Sequence, residues 1–266
     1  MGYIFDFNDS NHYENSFERV KYGYAFKLEM DLLFKMAAPE PGSSVLDIGC
    51  GTGRSLEPLL NSGLNLTGVD PSPYMLDIAH ERLGDKADLH RAFAEELPFD
   101  DNSFNHAFFM TSLEFTEMPA KAIEEACRVA KDKVFIAVLN RYAPLNVVRR
   151  IKGFFIKGIL SQARFFSILE LRQTAFDILG DVPIAWKTTL QFPFTTNRIC
   201  HWIEQRSLIE KSPFGTIIGM TIIPVPKFRT RPLCFKIRPQ ERYNPVTGFA
   251  MNQTKDEIEF KLSGKI

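Results

Sequence analysis

Ser44-Val45-Leu46-Asp47-Ile48-Gly49-Cys50-Gly51-Thr52-Gly53 is the stretch on which the fold of this chain turns. Its first five residues are short, apolar and closed by glycines, which reads as a strand. Arg54 to Leu60 then resumes a helical pattern, so the glycine loop is expected to join that strand to a helix. Small residues there let backbone amides approach a ligand, and a helix beginning behind them would present its positive end. An anionic or carboxylate ligand would suit such a loop. A dinucleotide fingerprint wants a third glycine three residues after Gly51, where Arg54 stands; the spacing is G-x-G-x-G. Glycine turns of this kind also arise for purely geometric reasons, so the neighbouring segments decide.

Upstream, Phe17, Val20, Tyr24, Leu28, Leu32 and Met36 recur at threes and fours and predict one amphipathic helix from Asn15 to Ala38. Downstream, strand and helix alternate. Leu64 to Asp70 reads as a strand, Tyr74 to Leu83 as a helix and Asp88 to Ala92 as a strand. His106 to Met110 is a fourth strand, Ala120 to Ala130 a helix, and Val134 to Leu139 a continuous apolar strand of the fully buried kind. Such alternation predicts an α/β fold with a doubly wound, mainly parallel sheet, whose ligand lies beyond the carboxyl ends of the strands. After Leu139 the rhythm changes. Leu145 to Leu160 and Ile168 to Leu179 read as helices of a cap, Ala185 to Phe192 as a strand, Arg198 to Arg206 as a helix, and Thr216 to Ile223 as a strand returning to the sheet. The organisation expected is an N-terminal helical segment or lid over 1–40, a core over 41–140, a helical cap over 141–183, closing strands over 184–225, and a disordered or loosely draped tail over 226–266.

Two further segments bear on the ligand. Asp70 ends the second strand 19 residues after Gly51, from where a carboxylate can accept two hydrogen bonds from a ribose diol. Its competing role is to cap the helix beginning near Ser72. Met75, one turn on, can lie along an adenine face. Phe93-Ala94-Glu95-Glu96-Leu97-Pro98-Phe99 then precedes Asp100 to Asn105.

Taken in order, Val45 to Gly53, Gly68-Val69-Asp70-Pro71-Ser72, Met75-Leu76, Ala94-Glu95-x-Leu97-Pro98-Phe99 and Ser103-Phe104 closely resemble the class I methyltransferases of the broad "type 11" group. The resemblance runs over about residues 12 to 225 and looks like a prokaryotic branch of uncharacterised methyltransferases, through Leu113-Glu114-Phe115, Arg128-Val129, Val138 to Arg141 and Ser161 to Arg164. It implies a seven-stranded Rossmann-like methyltransferase fold and S-adenosyl-L-methionine as cofactor. In that family Asp47 with Gly49, Cys50, Gly51 and Gly53 holds the methionine end, Asp70 with Pro71 the ribose, and Met75, Ala94 and Glu95 flank the adenine; Thr111, at the fourth strand's end, is counted with this set. Two departures stand out: Asn105 where the family often has Asp, and Lys131-Asp132-Lys133 where a Pro-Gly-Gly turn is common. Neither position normally touches the cofactor.

Methyl transfer from a sulfonium is an in-line displacement, so the protein must hold nucleophile, methyl and sulfur collinear and dry. The acceptor sets whether a base is needed. Candidates are Glu114, Tyr13 and Asn140, with Thr111, Arg141, Tyr142, His12 and Tyr22 nearby in sequence; Glu114 competes with a role at a helix start, and Tyr13 with one as lid or packing residue. His106 and His201 read as core histidines. The segment Asn146 to Lys157 mixes four cations with an apolar stripe. It reads as a cap helix over the acceptor pocket, the alternative being transient membrane-surface contact through 146–160.

Bulk composition removes other classes. Thirty-two basic residues balance 32 acidic ones, so no global field draws a polyanion, and nucleic acid is not an expected partner. Four cysteines, Cys50, Cys127, Cys200 and Cys234, are too scattered for a metal site, and no metal is expected; a reduced, cytoplasmic setting is. No apolar run reaches the length of a transmembrane helix. The expected activity is methylation of a small, partly apolar acceptor, in keeping with 24 phenylalanines. A cofactor-binding sensor or assembly protein without turnover is the competing class, and a membrane-surface lipid or quinone methyltransferase a third.

Overall fold

The structure, a computed structural model, describes residues 2–16, 20–153, 162–190 and 210–224 of the chain. All of them lie in the compact unit Met1–Lys227. The expected helix at 198–206 and the tail from 226 fall outside the described residues, as does the end of the basic segment beyond 153.

Seven strands form one sheet: β1 (Ser44–Ile48), β2 (Asn65–Asp70), β3 (Ala87–Arg91), β4 (Phe104–Met110), β5 (Ala130–Leu139), β6 (Ile184–Thr189) and β7 (Ile217–Ile222). Their order is β3-β2-β1-β4-β5-β7-β6. The first five pair in parallel, and β7 enters antiparallel between β5 and β6. The parallel carboxyl ends of β2, β1 and β4 therefore meet along one edge, and the strand order reverses between β1 and β4, where α/β sheets open a crevice.

Both faces are covered, as the apolar runs of β4 and β5 require. Along β4, Ala107 and Phe109 face the layer made by α4 (Pro119–Val129) and α6 (Ile168–Leu179), whose Leu171 and Ala175 are buried in it. Phe108 and Met110 face the opposite layer, made by α2 (Val20–Ala37) with Leu32 and Leu33, and by Leu83 of α3 (Pro73–Leu83). After β5 in the chain comes α5 (Pro144–Gly153), with Val147, Val148 and Ile151 exposed. No helix among the described residues is long and apolar enough to cross a membrane.

Two sequence expectations are corrected. The residues after the glycine loop do not form an α-helix: they turn and make a single 3-10 turn at Glu57–Leu59, because Pro58 removes a donor and Asn61-Ser62-Gly63 ends the run. Residues 17–19 lie outside the described ones, and ahead of them helix already begins at Phe7, before the expected Asn15, as α1 (Phe7–Ser16). Its sequence is polar, so apolar periodicity gives no sign of it. Reciprocal capping does: the Asp9 amide donates to Asp6 Oδ1 at 2.9 Å and the Asp6 amide to Asp9 Oδ2 at 3.3 Å.

Asn105, where the resembled family often has Asp, is a fastener between strands. Its Oδ1 accepts from the Ser44 amide and hydroxyl, each at 3.1 Å, and its Nδ2 donates to Asp132 at 2.7 Å.

Candidate functional site

A cleft enclosing about 1040 Å³ of space, its mouth included, lies across the carboxyl ends of β2, β1 and β4. Gly49, Cys50 and Gly51 form its floor. Asp70, Pro71 and Met75 enter from the β2 side together with Ala94 and Glu95; Met110, Thr111 and Ser112 close it at the end of β4; Ile4, Phe5 and Tyr13 come from the amino terminus.

The floor is held from below. The Gly49 and Cys50 amides both donate to the Val69 carbonyl, at 2.8 and 2.9 Å, the Gly51 amide donates to Asp70 Oδ2 at 3.0 Å, and the Gly53 amide returns to Cys50 O at 2.9 Å. The loop is thus no amide cradle for an anion, and no helix end stands behind it, contrary to the expectation from its glycines. What it offers is bare backbone. Gly49, with φ +75°, lies so near Ser112 that a Cβ would sit 2.5 Å from that side chain's own Cβ. Gly53 does not line the cleft; a Cβ there would meet Leu83 at 2.8 Å, so its smallness seats the loop on α3.

Two carboxylates flank this floor. Asp47 is fully buried behind the lining, where one oxygen accepts from the Ser55 hydroxyl and Oδ1 has no partner among the described residues. Burial pushes its carboxyl up to about 7, against the Ser55 hydrogen bond. Asp70 faces the cleft, accepting from the Gly51 amide on Oδ2 and from the Ser72 amide at 2.9 Å on Oδ1. Burial raises it to about 6, and the two amides oppose the rise. Ser72, not Asp70, caps α3, its hydroxyl accepting from the Met75 amide and donating to the Phe5 carbonyl at 2.7 Å.

The amino-terminal segment is tied over the site. The Tyr3 amide donates to Phe115 O at 3.0 Å, the Phe5 and Phe115 rings meet edge to face, and Glu14 bridges Arg54 and Arg82. Arg54, standing where a dinucleotide loop would have glycine, is therefore an anchor for α1. Glu95 Oε1 accepts from the amides of Glu117 and Met118 at 3.0 and 3.2 Å, which fixes the Ala94 segment beside the start of α4.

Of the acceptor-side candidates, the cleft brings in Tyr13 and Thr111. Thr111 has φ +52°, a strained position for a β-branched residue, at the turn that closes β4. Tyr13 is partly buried, and desolvation carries its hydroxyl well above the usual range. Glu114 and Asn140 do not line the cleft. Glu114 sits, buried, in the first turn of the 3-10 helix Leu113–Phe115, in keeping with a role at a helix start, and accepts from the Leu139 amide at 2.7 Å. Asn140 Nδ2 donates to the carbonyls of Pro213 and Gly215, and Arg141 is paired with Glu170. Tyr142 is exposed; the side chains of His12 and Tyr22 lie outside the described residues.

Several lining residues carry no motif signal as site residues, among them Ile4, Phe5, Phe26, Ser112 and Phe115, and one of them is charged. Glu29 of α2 points into the cleft beside Phe26. Its signal in the sequence is spacing: it stands four residues before the fully buried Leu33 and so shares that face of the helix. Reading the stripe through Leu28 and Leu32 places a glutamate on the polar side by default.

Against known proteins, residues 46–138 match the family described as Methyltransferase domain, which spans the floor, Asp70, the Ala94-Glu95 segment and Thr111. The demethylmenaquinone methyltransferase of Clavibacter sepedonicus is 29% identical over 155 residues, 57% of this chain and 62% of that protein. An uncharacterized methyltransferase of Mycobacterium bovis is 38% identical over 93 residues, 35% of this chain and 37% of that protein. The matches thus span less than two thirds of these relatives. Among solved structures, a Thermotoga maritima S-adenosylmethionine-dependent methyltransferase, named as a possible histamine N-methyltransferase, superposes with a TM-score of 0.62 at 25% identity, over 80% of this chain and 95% of that one. The resemblance read from the motifs is thereby borne out: residues 46–138 match the methyltransferase-domain family, and the seven-stranded sheet has the fold of these S-adenosylmethionine-dependent methyltransferases.

Proposed function

We propose that this chain transfers a methyl group from S-adenosyl-L-methionine to a small, partly apolar acceptor. The observation that carries the reading is the pair of acceptor carboxylates on either flank of a donor-poor floor: Asp47 with a buried oxygen lacking any donor among the described residues, and Asp70 opening on the cleft. Buried acceptors of this kind call for a ligand rich in N–H and O–H groups. An amino-acid ammonium and a ribose diol fit them, whereas a phosphate would meet two carboxylates beside Gly49, Cys50 and Gly51 amides that are already engaged.

Bound there, S-adenosylmethionine would supply an activated methyl on a sulfonium. Asp47, with Ser55, is the group to hold the ammonium; Asp70 takes the ribose hydroxyls; Met75 and Ala94 give the adenine apolar surface. The remaining lining includes Phe5, Phe26, Phe109 and Phe115, which keep water out and favour a flat apolar acceptor.

Relatives named demethylmenaquinone methyltransferase favour a quinone-type acceptor as a narrower reading, and the exposed Val147, Val148 and Ile151 would then offer it a membrane-facing surface. Titration calorimetry with S-adenosylmethionine and S-adenosylhomocysteine tests the site directly. S-Adenosylhomocysteine release over a panel of reduced naphthoquinones, phenols and amines tests turnover. Tight binding with no release across the panel would favour a non-catalytic cofactor sensor; no binding would remove the proposal.

A further inference from the structure

Glu29 is a half-buried carboxylate in an aromatic wall, and its placement is deliberate in the packing. Leu33, one turn further on α2, is fully buried, and Leu32 lies over Gly219 of β7, where any Cβ would come within 2.5 Å of it. That contact lets the helix lie close on β5, β7 and β6. Glu29 therefore enters the cleft from the β4–β5 side, across the floor from Asp70, Met75 and Glu95, which enter from β2 and beyond. Among the described residues no hydrogen bond holds its carboxylate.

A buried carboxylate with no hydrogen-bond donor among the described residues is costly, and such groups gather at functional sites. The charged or titratable groups that face it are Arg149 of α5, Glu114 of the turn after β4 and Tyr13 of α1. Burial brings its carboxyl up to about 7, with Arg149 opposing. A carboxylate that ionises near neutral pH is a far better proton acceptor than an ordinary glutamate.

We propose that Glu29 is the base that takes the proton of an aromatic hydroxyl as it is methylated, in the half of the cleft facing Asp70. This rests on the methyltransferase reading above. The aromatic walls accept a flat ring, and the Glu29 carboxylate can accept a hydrogen bond from its O–H. The acceptor O–H bond breaks with its proton passing to Glu29. The oxygen's electron pair forms the new bond to the methyl carbon, and the methyl–sulfur bond breaks with its pair moving onto sulfur, which becomes a neutral thioether.

The test compares the full chain with Glu29→Gln and Glu29→Asp. Calorimetry with S-adenosylhomocysteine should give equal binding in all three; failure to bind the unmodified chain would count against the cofactor reading, and loss confined to the variants would overturn the placement of Glu29 on the acceptor side. In protein loaded with S-adenosylhomocysteine and carrying ¹³C in glutamate carboxyls, one resonance absent from Glu29→Gln should titrate between about pH 6 and 8. A Glu29 carboxyl that stays ionised to about pH 5 overturns the proposal. With 2-naphthol and 1,4-naphthohydroquinone as acceptors, single-turnover transfer should fall about a hundredfold or more in Glu29→Gln, with the rise through neutral pH abolished and part of the rate kept by Glu29→Asp. Unchanged rate and pH profile in Glu29→Gln, or turnover of phenethylamine alone, overturns it.

Discussion

At the level of single residues the site works by leaving particular atoms unsatisfied. Asp47 and Asp70 are both raised by burial, so each gains when a donor arrives. Asp70→Ala should weaken S-adenosylmethionine binding by about 3 kcal/mol, roughly a hundredfold in Kd by calorimetry, since two hydrogen bonds to a charged acceptor are lost. Circular dichroism should show the same fold. Gly49 illustrates the opposite device, a missing side chain. Gly49→Ala forces a Cβ at φ +75° to within 2.5 Å of the Ser112 Cβ. Overlap and backbone strain together should lower stability by about 2–4 kcal/mol in urea unfolding. Adding Ser112→Gly should recover the overlap and leave the strain, so full recovery would mean that φ is not what Gly49 supplies.

Among the elements, α4 carries a joint that sets the adenine side of the cleft. Arg128 donates to the carbonyls of Leu97 and Phe99 at 3.0 and 2.7 Å and to the carboxylates of Glu125 and Asp101, while Glu125 also accepts from the Leu97 amide. A lysine keeps the charge and loses the fork, so Arg128→Lys should cost about 2 kcal/mol of stability and weaken cofactor binding through the Ala94 segment. Equal urea midpoints would refute the joint. Elements also show what was legible beforehand. Strand and helix alternation from Val45 to Leu139 carried the sheet, because parallel strands buried on both faces leave long apolar runs. The motif positions Asp70, Ala94 and Thr111 reach the cleft. Neither α1, stabilised by local capping without an apolar stripe, nor Glu29, acidic on an inward face, has an apolar-pattern signature. The direction of the loop amides was lost for another reason: glycine spacing says that a backbone is close to something, and here that something is Val69.

For the molecule as a whole, the cleft acids set the response to pH. Asp47, Asp70, Glu29 and Glu114 are all raised by burial, to about 7, 6, 7 and 8. A carboxyl raised in the folded state binds its proton more tightly there than in the unfolded chain. Its contribution is full below the ordinary carboxylate value and is lost as pH climbs through the raised one. Glu14, Glu125 and Glu210, lowered by their cationic partners against the pull of burial, add stability that is full above that ordinary range and is lost only as pH falls below it. The ligand-free protein should therefore melt at a progressively lower Tm as pH rises from about 5.5 to 8. S-Adenosylmethionine should flatten that slope by supplying donors to the ionised forms. A Tm rising over this interval in the ligand-free protein would contradict the placement of these acids. The insertion of β7 also fixes an order of events in synthesis. Strands β1 to β5, with the floor and Asp70, are complete in sequence by Leu139, but the seat of α2 against β7 does not exist until residues 217–222 have been made. The nascent chain thus has its cofactor-side strands, and the β5 part of the seat of α2, well before the β7 part of that seat that fixes the helix bearing Glu29.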